Sequence, residues 1–541
     1  MLESKGNWTP EETGRIREQL QRLLQSELFD HSDRHSRFLR YVVEETLAGR
    51  ADRLNGFLVG VEVFDRDESF DPAVDSIVRV EAGRLRAKLR EYYTGPGLTD
   101  PVEIQLPKGG YAVRFTKREA ERTLTAVQTD AAVSASGAYG PPPMDEAPTV
   151  AVLPFDNLST DPEQEYFSDG ITEDIITDLS RLSGLHVISR HSTFVYKGRA
   201  VSTREISEEL GARYIIEGSV RKAGDRIRIS AQLIDVMTDS HLWAQRFDRE
   251  LHDVFTIQAG VSRKIVDALK VKLTAQEEAR LGHKGTENIE AHDYLLRALE
   301  QYYLFTADAV DNAIAYLAKA IELDPNYAEA YAWQSRITTY NFTISKNPSL
   351  EETVIPAIAL ARRAIELDEL LPMGHANLGW ALMWYKEIDE ALEEVQRAVD
   401  LDPNYADALL RQSMVLSSAG KGQEALASID KAISLDPHYV ITYTFALGLA
   451  YYVLGQYDKA LQHFERGIQR NPQFLPNHFL KTSVLGLMEN RQEEARAACK
   501  RLRELHPEYA STYTSIFNDQ ALTERLLEGL HRAGFQPSTG K

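Results

Sequence analysis

The carboxyl-terminal half of this 541-residue chain repeats itself. Proline follows a run of helix-forming residues at Pro325, Pro403, Pro437, Pro472 and Pro507, and the last four stand 34, 35 and 35 residues apart. Proline lacks a donor and clashes with the preceding turn, so each of these positions ends a helix. A unit of this length holds one pair of helices, which buries its apolar faces only by stacking on neighbouring pairs. Pro325 and Pro403 are 78 residues apart, two units of 34 and ten more. Counting back 34 from Pro403 reaches Glu369, where Leu367-Asp368 keeps the context of a stop without the proline. The surplus falls at Thr343 to Glu352. Asn347-Pro348 breaks the chain there and Ser349 with Glu352 has capping-box spacing, so one lengthened inter-helix loop is expected.

Small residues recur where the two helices of a unit must approach each other: Ala313 and Ala320, Ala357 and Ala364, Ala391 and Ala398, Ala425 and Ala432, Ala460 and Gly467. Each pair lies 12 and 5 residues before its stop. Large side chains there would hold the helices apart and open voids. With Leu378-Gly379, Ala391, Ala398 and Pro403, and again with Leu447-Gly448, Tyr451, Ala460, Phe464 and Pro472, the stretch from about Tyr294 to Tyr509 resembles the tetratricopeptide repeat (TPR) family. Gln301, Gln412 and Gly486 depart from its pattern. The resemblance implies an all-α solenoid of about six repeats over residues 288–516, with a capping helix and tail at 517–541. It also implies that the first helix of each hairpin lines a concave groove for a protein or peptide. The matching positions are Tyr302, Phe305, Tyr340, Trp380, Met383, Trp384, Met414, Phe445, Tyr452, Leu480 and Leu487. Aromatic and methionine side chains there are effective anchors. The Lys/Asn clamp with which the family holds a peptide carboxylate is not evident.

The chain is too long for one core. Its net charge of −20 is unevenly spread: residues 1–117 carry 18 basic against 20 acidic side chains and 148–274 carry 16 against 19, so most of the excess lies in the linker and the repeats. An acidic array repels nucleic acid and meets protein more readily, which leaves any DNA contact to the front of the chain. A single cysteine, Cys499, excludes a disulfide framework or a zinc site built on several thiolates. Met1-Leu2-Glu3-Ser4-Lys5 shows no apolar signal core, and no stretch approaches the ~20 apolar residues of a membrane helix. The expectation is a cytoplasmic protein with no membrane contact.

At the front, Thr9-Pro10-Glu11-Glu12 starts a helix whose stripe is Ile16, Leu20, Leu23 and Leu24. A second helix runs from about Ser36 to Leu47, and a third amphipathic segment from Asp75 to Tyr93. At about 100° per residue, Val78, Ala82, Leu85, Leu89 and Tyr92 share one face of that segment, and Arg79, Gly83, Arg86 and Arg90 another. Val102–Leu106 and Tyr111–Phe115 read as a hairpin joined by Pro107-Lys108-Gly109-Gly110. Through Val80, Arg84-Leu85-Arg86, Lys88-Leu89 and Gly110-Tyr111 to Phe115, this region is similar to the winged-helix domains of the OmpR and PhoB families and of CadC-like regulators. The resemblance implies an α+β domain over residues 1–116 that binds DNA, with Arg79, Arg86 and Arg90 in the major groove and Lys108 and Arg114 on phosphates. Against this stands the lack of a positive excess, with Glu81 and Glu91 beside the basic face, so docking of a protein partner is the alternative.

Residues 117–147 turn rich in Ala, Ser, Thr, Gly and Pro, ending in Gly140-Pro141-Pro142-Pro143, and read as a flexible linker. Beyond it, Thr149–Phe155, Leu185–Ile188, Arg213–Val220, Arg226–Ile234 and His241–Phe247 have the pattern of strands, with helices at Tyr166–Leu182, from Ser202 to Leu210 and at Asp253–Leu273. Arg226 to Leu233 alternates strictly, with Ile227, Ile229, Ala231 and Leu233 inward. Ala151-Val-Leu-Pro-Phe155, Phe167-Ser-Asp-Gly-Ile-Thr172, Leu210-Gly-Ala-Arg-Tyr214, Glu217-Gly-Ser-Val220 and Trp243 resemble the amino-terminal domain of TolB and the related FlgO-like domain. That implies an α/β domain over residues 148–274 with an interaction or sensing role.

No phosphate loop, dinucleotide fingerprint or His-Glu-x-x-His pair is present. His186 and His191 lie near Ser189 and Ser192, yet proximity in sequence does not make a triad. The acidic run Asp169, Glu173, Asp174 and Asp178 suits the start of a helix better than a metal site. Catalytic residues, metals and cofactors are therefore not expected. The sequence predicts a multidomain, non-enzymatic cytoplasmic regulator: a winged helix on DNA, an α/β module that senses or forms a homodimer, and a TPR array that takes a protein. A scaffold without nucleic-acid contact, for instance the partner of a signalling enzyme, is the competing reading.

Overall fold

The computed structural model describes residues 10–117, 147–304, 307–344, 350–505 and 516–535, with breaks at 27–28, 30–32, 65, 67–76, 95–96, 98–99, 107–110, 160, 162–163, 200, 282–284 and 440. The chain divides into two compact units, residues 1–136 and 137–541.

In the first unit, helices α1 (Pro10–Leu24), α2 (Asp33–Leu47), α3 (Gly56–Phe64) and α4 (Ile77–Thr94) precede a two-stranded antiparallel ribbon, β1 (Val102–Gln105) and β2 (Arg114–Lys117). The apolar faces read from the sequence meet in one core: Ile16, Leu20 and Leu23 of α1, Phe38, Leu39 and Val42 of α2, Val78, Ala82, Leu85 and Leu89 of α4, and Ile104 opposite Phe115 in the ribbon. The Tyr93 hydroxyl accepts the Ile104 N–H at 2.9 Å, which ties the ribbon to α4. The joining turn and the Ala-, Ser- and Pro-rich stretch after Lys117 lie outside the described residues.

The second unit opens with a mixed sheet in the order β5-β3-β6-β7-β8, with β4 also paired to β6. The strands are β3 (Thr149–Val152), β4 (Asp156–Asn157), β5 (His186–Val187), β6 (Tyr214–Ala223), β7 (Arg226–Asp235) and β8 (Ser240–Glu250). β3 runs parallel to β5 and β6, while β6, β7 and β8 are antiparallel. Helices α5 (Glu165–Ser180) and α8 (Val254–Leu269) share an apolar cluster with Ile227, Ile229, Ala231 and Leu233 of β7, all four buried as their alternation requires. After a short helix, α6 (Arg190–Phe194), Tyr196 joins Ile206 and Leu210 of α7 (Thr203–Leu210) in a smaller cluster with Ala151 and Ile215. Ser202 and Glu205 form a capping box at the start of α7. A short helix, α9 (Ala275–Arg280), leads into the repeats.

Among the described residues twelve helices follow as six hairpins: α10 (Ile289–Tyr302) with α11 (Ala307–Leu323), α12 (Ala328–Ile344) with α13 (Ile355–Leu367), α14 (Pro372–Tyr385) with α15 (Ile388–Leu401), α16 (Ala406–Ser418) with α17 (Gly422–Leu435), α18 (Ile441–Val453) with α19 (Tyr457–Arg470), and α20 (Leu475–Leu487) with α21 (Gln492–Leu505). The alanines before each stop are buried without exception. The surplus in the second hairpin does not go wholly into a loop: α12 runs 17 residues and a π-helical turn, Leu350–Val354, leads into α13. Ser335 of α12 donates to Ala357 O at 2.7 Å, holding the widened pair together. Ser349 lies outside the described residues. Gln412, large for its position, is buried because both ends of its amide are satisfied, by Gln396 at 2.9 Å and Ser428 at 2.8 Å. A last helix, α22 (Gln520–Arg532), lies mainly on α20, where Gly486 and Gly529 let the two backbones touch: a Cβ on Gly486 would sit 1.8 Å from Gly529 O.

Gly379 marks the crossing of α14 and α15, where a Cβ would lie 2.8 Å from Ala391 O and 2.6 Å from Val395 Cγ1. Gly379→Val forces the helices apart and is expected to cost about 1–3 kcal/mol, read as a lower urea midpoint; an unchanged midpoint contradicts the close crossing.

Candidate protein-interaction site

The stops that end the second helices also build a docking edge. At four stops the side chain closes a short turn by accepting the N–H two residues on: Asn326 N to Asp324, Leu370 N to Asp368, Asn404 N to Asp402 and Gln473 N to Asn471, all at 3.0 Å. A carboxylate has acceptor capacity left over, and in four consecutive repeats the sheet domain or its connection fills it. Thr286 Oγ1 donates to Asp324 at 2.5 Å, Arg280 binds Asp368 through both carboxylate oxygens at 2.9 and 3.0 Å, Ser180 Oγ donates to Asp402 at 2.7 Å, and Ser192 Oγ donates to Asp436 at 2.5 Å. Asp402 and Asp436 are buried. At the fifth stop the residue is Asn471, which keeps the turn and is exposed.

Neighbouring bonds complete this edge. Asn404 Nδ2 reaches Ser180 O, Leu182 O and Leu185 O at 2.9, 3.3 and 3.0 Å, satisfying carbonyls at the end of α5. Ser189 N donates to Leu435 O at 2.7 Å and His438 N to Ser192 Oγ at 2.8 Å. Ser189 also caps α6, so Ser189 and Ser192 serve capping and docking. Beneath the polar edge, Phe167, Ile171 and Ile175 of α5 share a cluster with Leu295, Leu296 and Leu299 of α10.

The inner side of the first four repeats is closed by guanidinium and aromatic groups. Arg336 on α12 bridges past α14 to Asp407 on α16 at 2.7 and 3.2 Å, donates to Tyr302 and Tyr405 at 3.3 Å each, and lies over the Trp333 ring. Burial pushes the Asp407 carboxyl up, but Arg336 and Arg411 outweigh it and hold the carboxyl below its usual range. Arg190 from the sheet domain is sandwiched between Phe194 and Tyr303, 3.7 Å from each ring centroid, and pairs with Glu173 at 3.0 Å. The acidic run on α5 thus resolves into separate pairs: Asp169 with Lys197, Glu173 with Arg190 and Tyr303, Asp174 with Gln258 and His292, and Asp178 with Ser262. Among the described residues no group of three or more His, Cys, Asp or Glu is arranged to hold a metal.

The far ends of the first helices meet the C-terminal segment. Asn518 N and Asp519 N donate to Ser418 O at 2.9 and 3.3 Å, Asn518 Nδ2 to Met383 O at 3.3 Å, and Arg525 Nη1 to Val453 O at 3.3 Å. These carbonyls sit in the last turns of α16, α14 and α18, where helices leave acceptors unfilled. Phe517 stacks on Tyr452, centroids 5.5 Å apart with 15° between the planes.

The groove anchors read from the sequence are therefore mostly not open. Tyr302, Trp380, Met383, Met414, Phe445, Tyr452 and Leu480 are buried, and Trp384 and Leu487 are half-buried. Phe305 and the side chain of Tyr340 lie outside the described residues. The cause is that the chain's own elements cover the inner surface: Arg336 reaches Tyr302, and the C-terminal segment packs in one cluster with Met383, Tyr452 and Leu480. In the first unit, Arg86 Nε donates to Leu106 O at 3.1 Å and so secures the ribbon, while Arg114 is exposed on β2. The side chains of Arg79 and Arg90 on α4, and all of Lys108, lie outside the described residues. The stop aspartates, Arg336 and Asn518 were not singled out as functional in the sequence; only the Leu-Asp context at the stops hinted at the first of these.

Comparison with known proteins fits this layout. Residues 146–288 match the family model of the second domain of HilA/YgeH-like transcriptional regulators, and 306–327, 377–440 and 445–474 match tetratricopeptide repeat models. The chain is 49% identical over 251 residues to the putative adenylate cyclase 3 of Rhizobium meliloti (strain 1021), covering 46% of this chain and 43% of that one. It is 29% identical over 179 residues to the protein CTR9 homolog of Arabidopsis thaliana, covering 32% of this chain and 16% of that one. The chain thus spans less than half the length of these curated relatives. Among solved structures, a thermophilic TPR protein of Thermus thermophilus aligns over 36% of this chain and all of its own at 20% identity and a TM-score of 0.29. TolB from Acinetobacter baumannii aligns over 23% of this chain and 29% of its own at 22% identity and a TM-score of 0.19. No helix among the described residues is long and apolar enough to cross a membrane.

Asp402→Ala strands the Asn404 N–H in a buried edge and leaves the Ser180 hydroxyl only Thr177 O as acceptor, and is expected to cost about 1–3 kcal/mol in urea unfolding of the full chain, against less than about 0.5 for the exposed Asn471→Ala. Equal effects would contradict the docking role. Burial pushes the Asp178 carboxyl up to about 7, against Arg181 and Ser262, which pull it down. The folded chain then holds a proton that the unfolded chain releases, so stability falls as pH rises from about 4 through about 7. Asp178→Asn is expected to flatten that slope in a pH series of thermal melts; an unaltered slope assigns it to other groups.

Proposed function

We propose that this protein is a non-enzymatic transcriptional regulator of the cytoplasm in which a winged-helix front unit binds DNA and the TPR array takes a protein that controls it. The observation that carries the reading is the match of residues 146–288 to the second domain of HilA/YgeH-like transcriptional regulators, placed behind a helical unit that ends in a β-ribbon. In this reading α4 is the recognition helix, with Arg79 and Arg90 toward base edges and Lys108 and Arg114 toward phosphates. Arg86 contributes from the same helix while its Nε holds Leu106 O. The sheet domain, TolB-like in this reading, reports the state of the array, because every one of the first four stops bonds to it or its connection. β8, an exposed edge strand, is the surface at which a homodimer would form.

A second reading is favoured by a different observation. The 49% identity to a putative adenylate cyclase over 251 residues suits a module that serves a signalling enzyme, with no nucleic-acid contact. Binding of the full chain to a pool of duplex DNA at 50 and 200 mM salt separates the two. The regulator binds at low salt with a steep salt dependence, and Lys108→Ala with Arg114→Ala weakens binding at least tenfold and reduces the slope by about 2. Absence of retention at 50 mM salt contradicts the DNA-binding reading and favours the scaffold.

A further inference from the structure

The C-terminal segment departs from the geometry of a seventh repeat. A next first helix would pack against both helices of the preceding hairpin, whereas α22 lies mainly on α20, and the residues just ahead of it reach the ends of α14 and α16. Its contacts form a line along the ends of successive first helices. Lys386 beside α14 donates to Phe517 O at 3.2 Å, Ser418 at the end of α16 donates to Ile516 O at 2.6 Å, and Arg525 reaches Val453 O at the end of α18 at 3.3 Å. Ser483 of α20 donates to Leu526 O at 3.0 Å. The apolar side is regular. Leu522, Leu526 and Leu530 stand four residues apart and are buried, Phe517 and Phe535 flank them on Tyr452 and Phe479, and Gly529 allows backbone contact with Ser483 O.

We infer that residues 516–535 occupy, in cis, the surface where the array takes its partner, and that the partner brings an amphipathic helix of the same kind. The inference deepens the proposed protein-binding role of the array and rests on it. The partner helix carries an aromatic residue ahead of its first turn, leucines four apart on one face, and glycine or another small residue where α22 has Gly529. The polar groups define it further: an amide donor set before the helix fills the Met383 and Ser418 carbonyls as Asn518 does, and a cation one turn in fills that of Val453 as Arg525 does. Three carbonyls and an apolar stripe are a surface built to hold a helix, and α22 is the occupant in the unbound chain. Release of α22 is then the price of binding, and it uncovers Met383, Tyr452 and Leu480.

Hydrogen exchange of the full chain without any partner is the first test. An occupant that leaves before the array opens exchanges its α22 amides at least about 100-fold faster than those of α20 and α18; exchange of α22 in step with α20 makes it an integral cap and overturns the inference. The second arm uses a fluorescent synthetic peptide of residues 516–535 as probe. Full-chain Gly529→Leu, whose own tail no longer fits against Ser483 O, is expected to bind the peptide at least tenfold more tightly than the unaltered chain. A variant that is folded by circular dichroism and binds no better overturns the inference, and if the variant does not fold the exchange result decides. Neither arm involves DNA, so a failure of the DNA-binding reading leaves this result legible by itself.

Discussion

The arrangement of the larger unit depends on a carboxylate at the end of each of the first four repeats. A residue that closes a turn of this kind needs only one acceptor, and asparagine serves as well, as Asn471 shows. Aspartate has a second oxygen, and once the turn is buried that oxygen must be met by a donor. Thr286, Arg280 and Ser180 meet it at Asp324, Asp368 and Asp402, and Ser192 stands between Asp436 and the His438 N–H. Because successive repeats present these oxygens in a row, the donors set the register of the sheet domain against the array. Only Arg280 brings a charge to this row, so its contribution lies in specificity and in satisfied burial more than in attraction between ions.

The same register explains why the inner surface is filled. With α5 fixed against α10, Arg190 falls between Phe194 and Tyr303, and the first repeats join the apolar cluster of the sheet. Arg336 and Asp407 then tie the second repeat to the fourth across the inside of the array. The surface left toward the later repeats is where the C-terminal segment lies, on the ends of α14, α16 and α18. A protein that acts on this unit meets a surface already occupied, which ties recognition to the displacement of something the chain itself supplies.

Much of the architecture was legible in the residues because it follows from local rules. The proline and Leu-Asp stops at a fixed period define the hairpins, the paired alanines define their crossings, and the alternation from Arg226 to Leu233 defines which side of β7 is buried. The functional surface was far less legible. Aspartate at a stop reads equally well as a turn residue, and its second role appears only when Ser180, more than 200 positions away, comes within 2.7 Å. Tyr302, Met383 and Tyr452 have the composition of groove anchors, but composition cannot show that Arg336 and Phe517 already cover two of them. Gly486 looked like a departure from the repeat pattern and is the point where α22 touches α20. The surplus near Asn347 suggested a loop, while Ser335 and the π-helical turn allow the hairpin to take in part of it as helix.

The central claim is that the sheet domain and the first four repeats form one cooperative body held in register by the stop aspartates. Native-state hydrogen exchange of the full chain across a urea series tests it most directly, by comparing the opening free energies of β7 with those of α12 and α16. The result expected is that these elements converge on one isotherm well below the global midpoint. Separate isotherms for the sheet and for the repeats, persisting up to global unfolding, would contradict it.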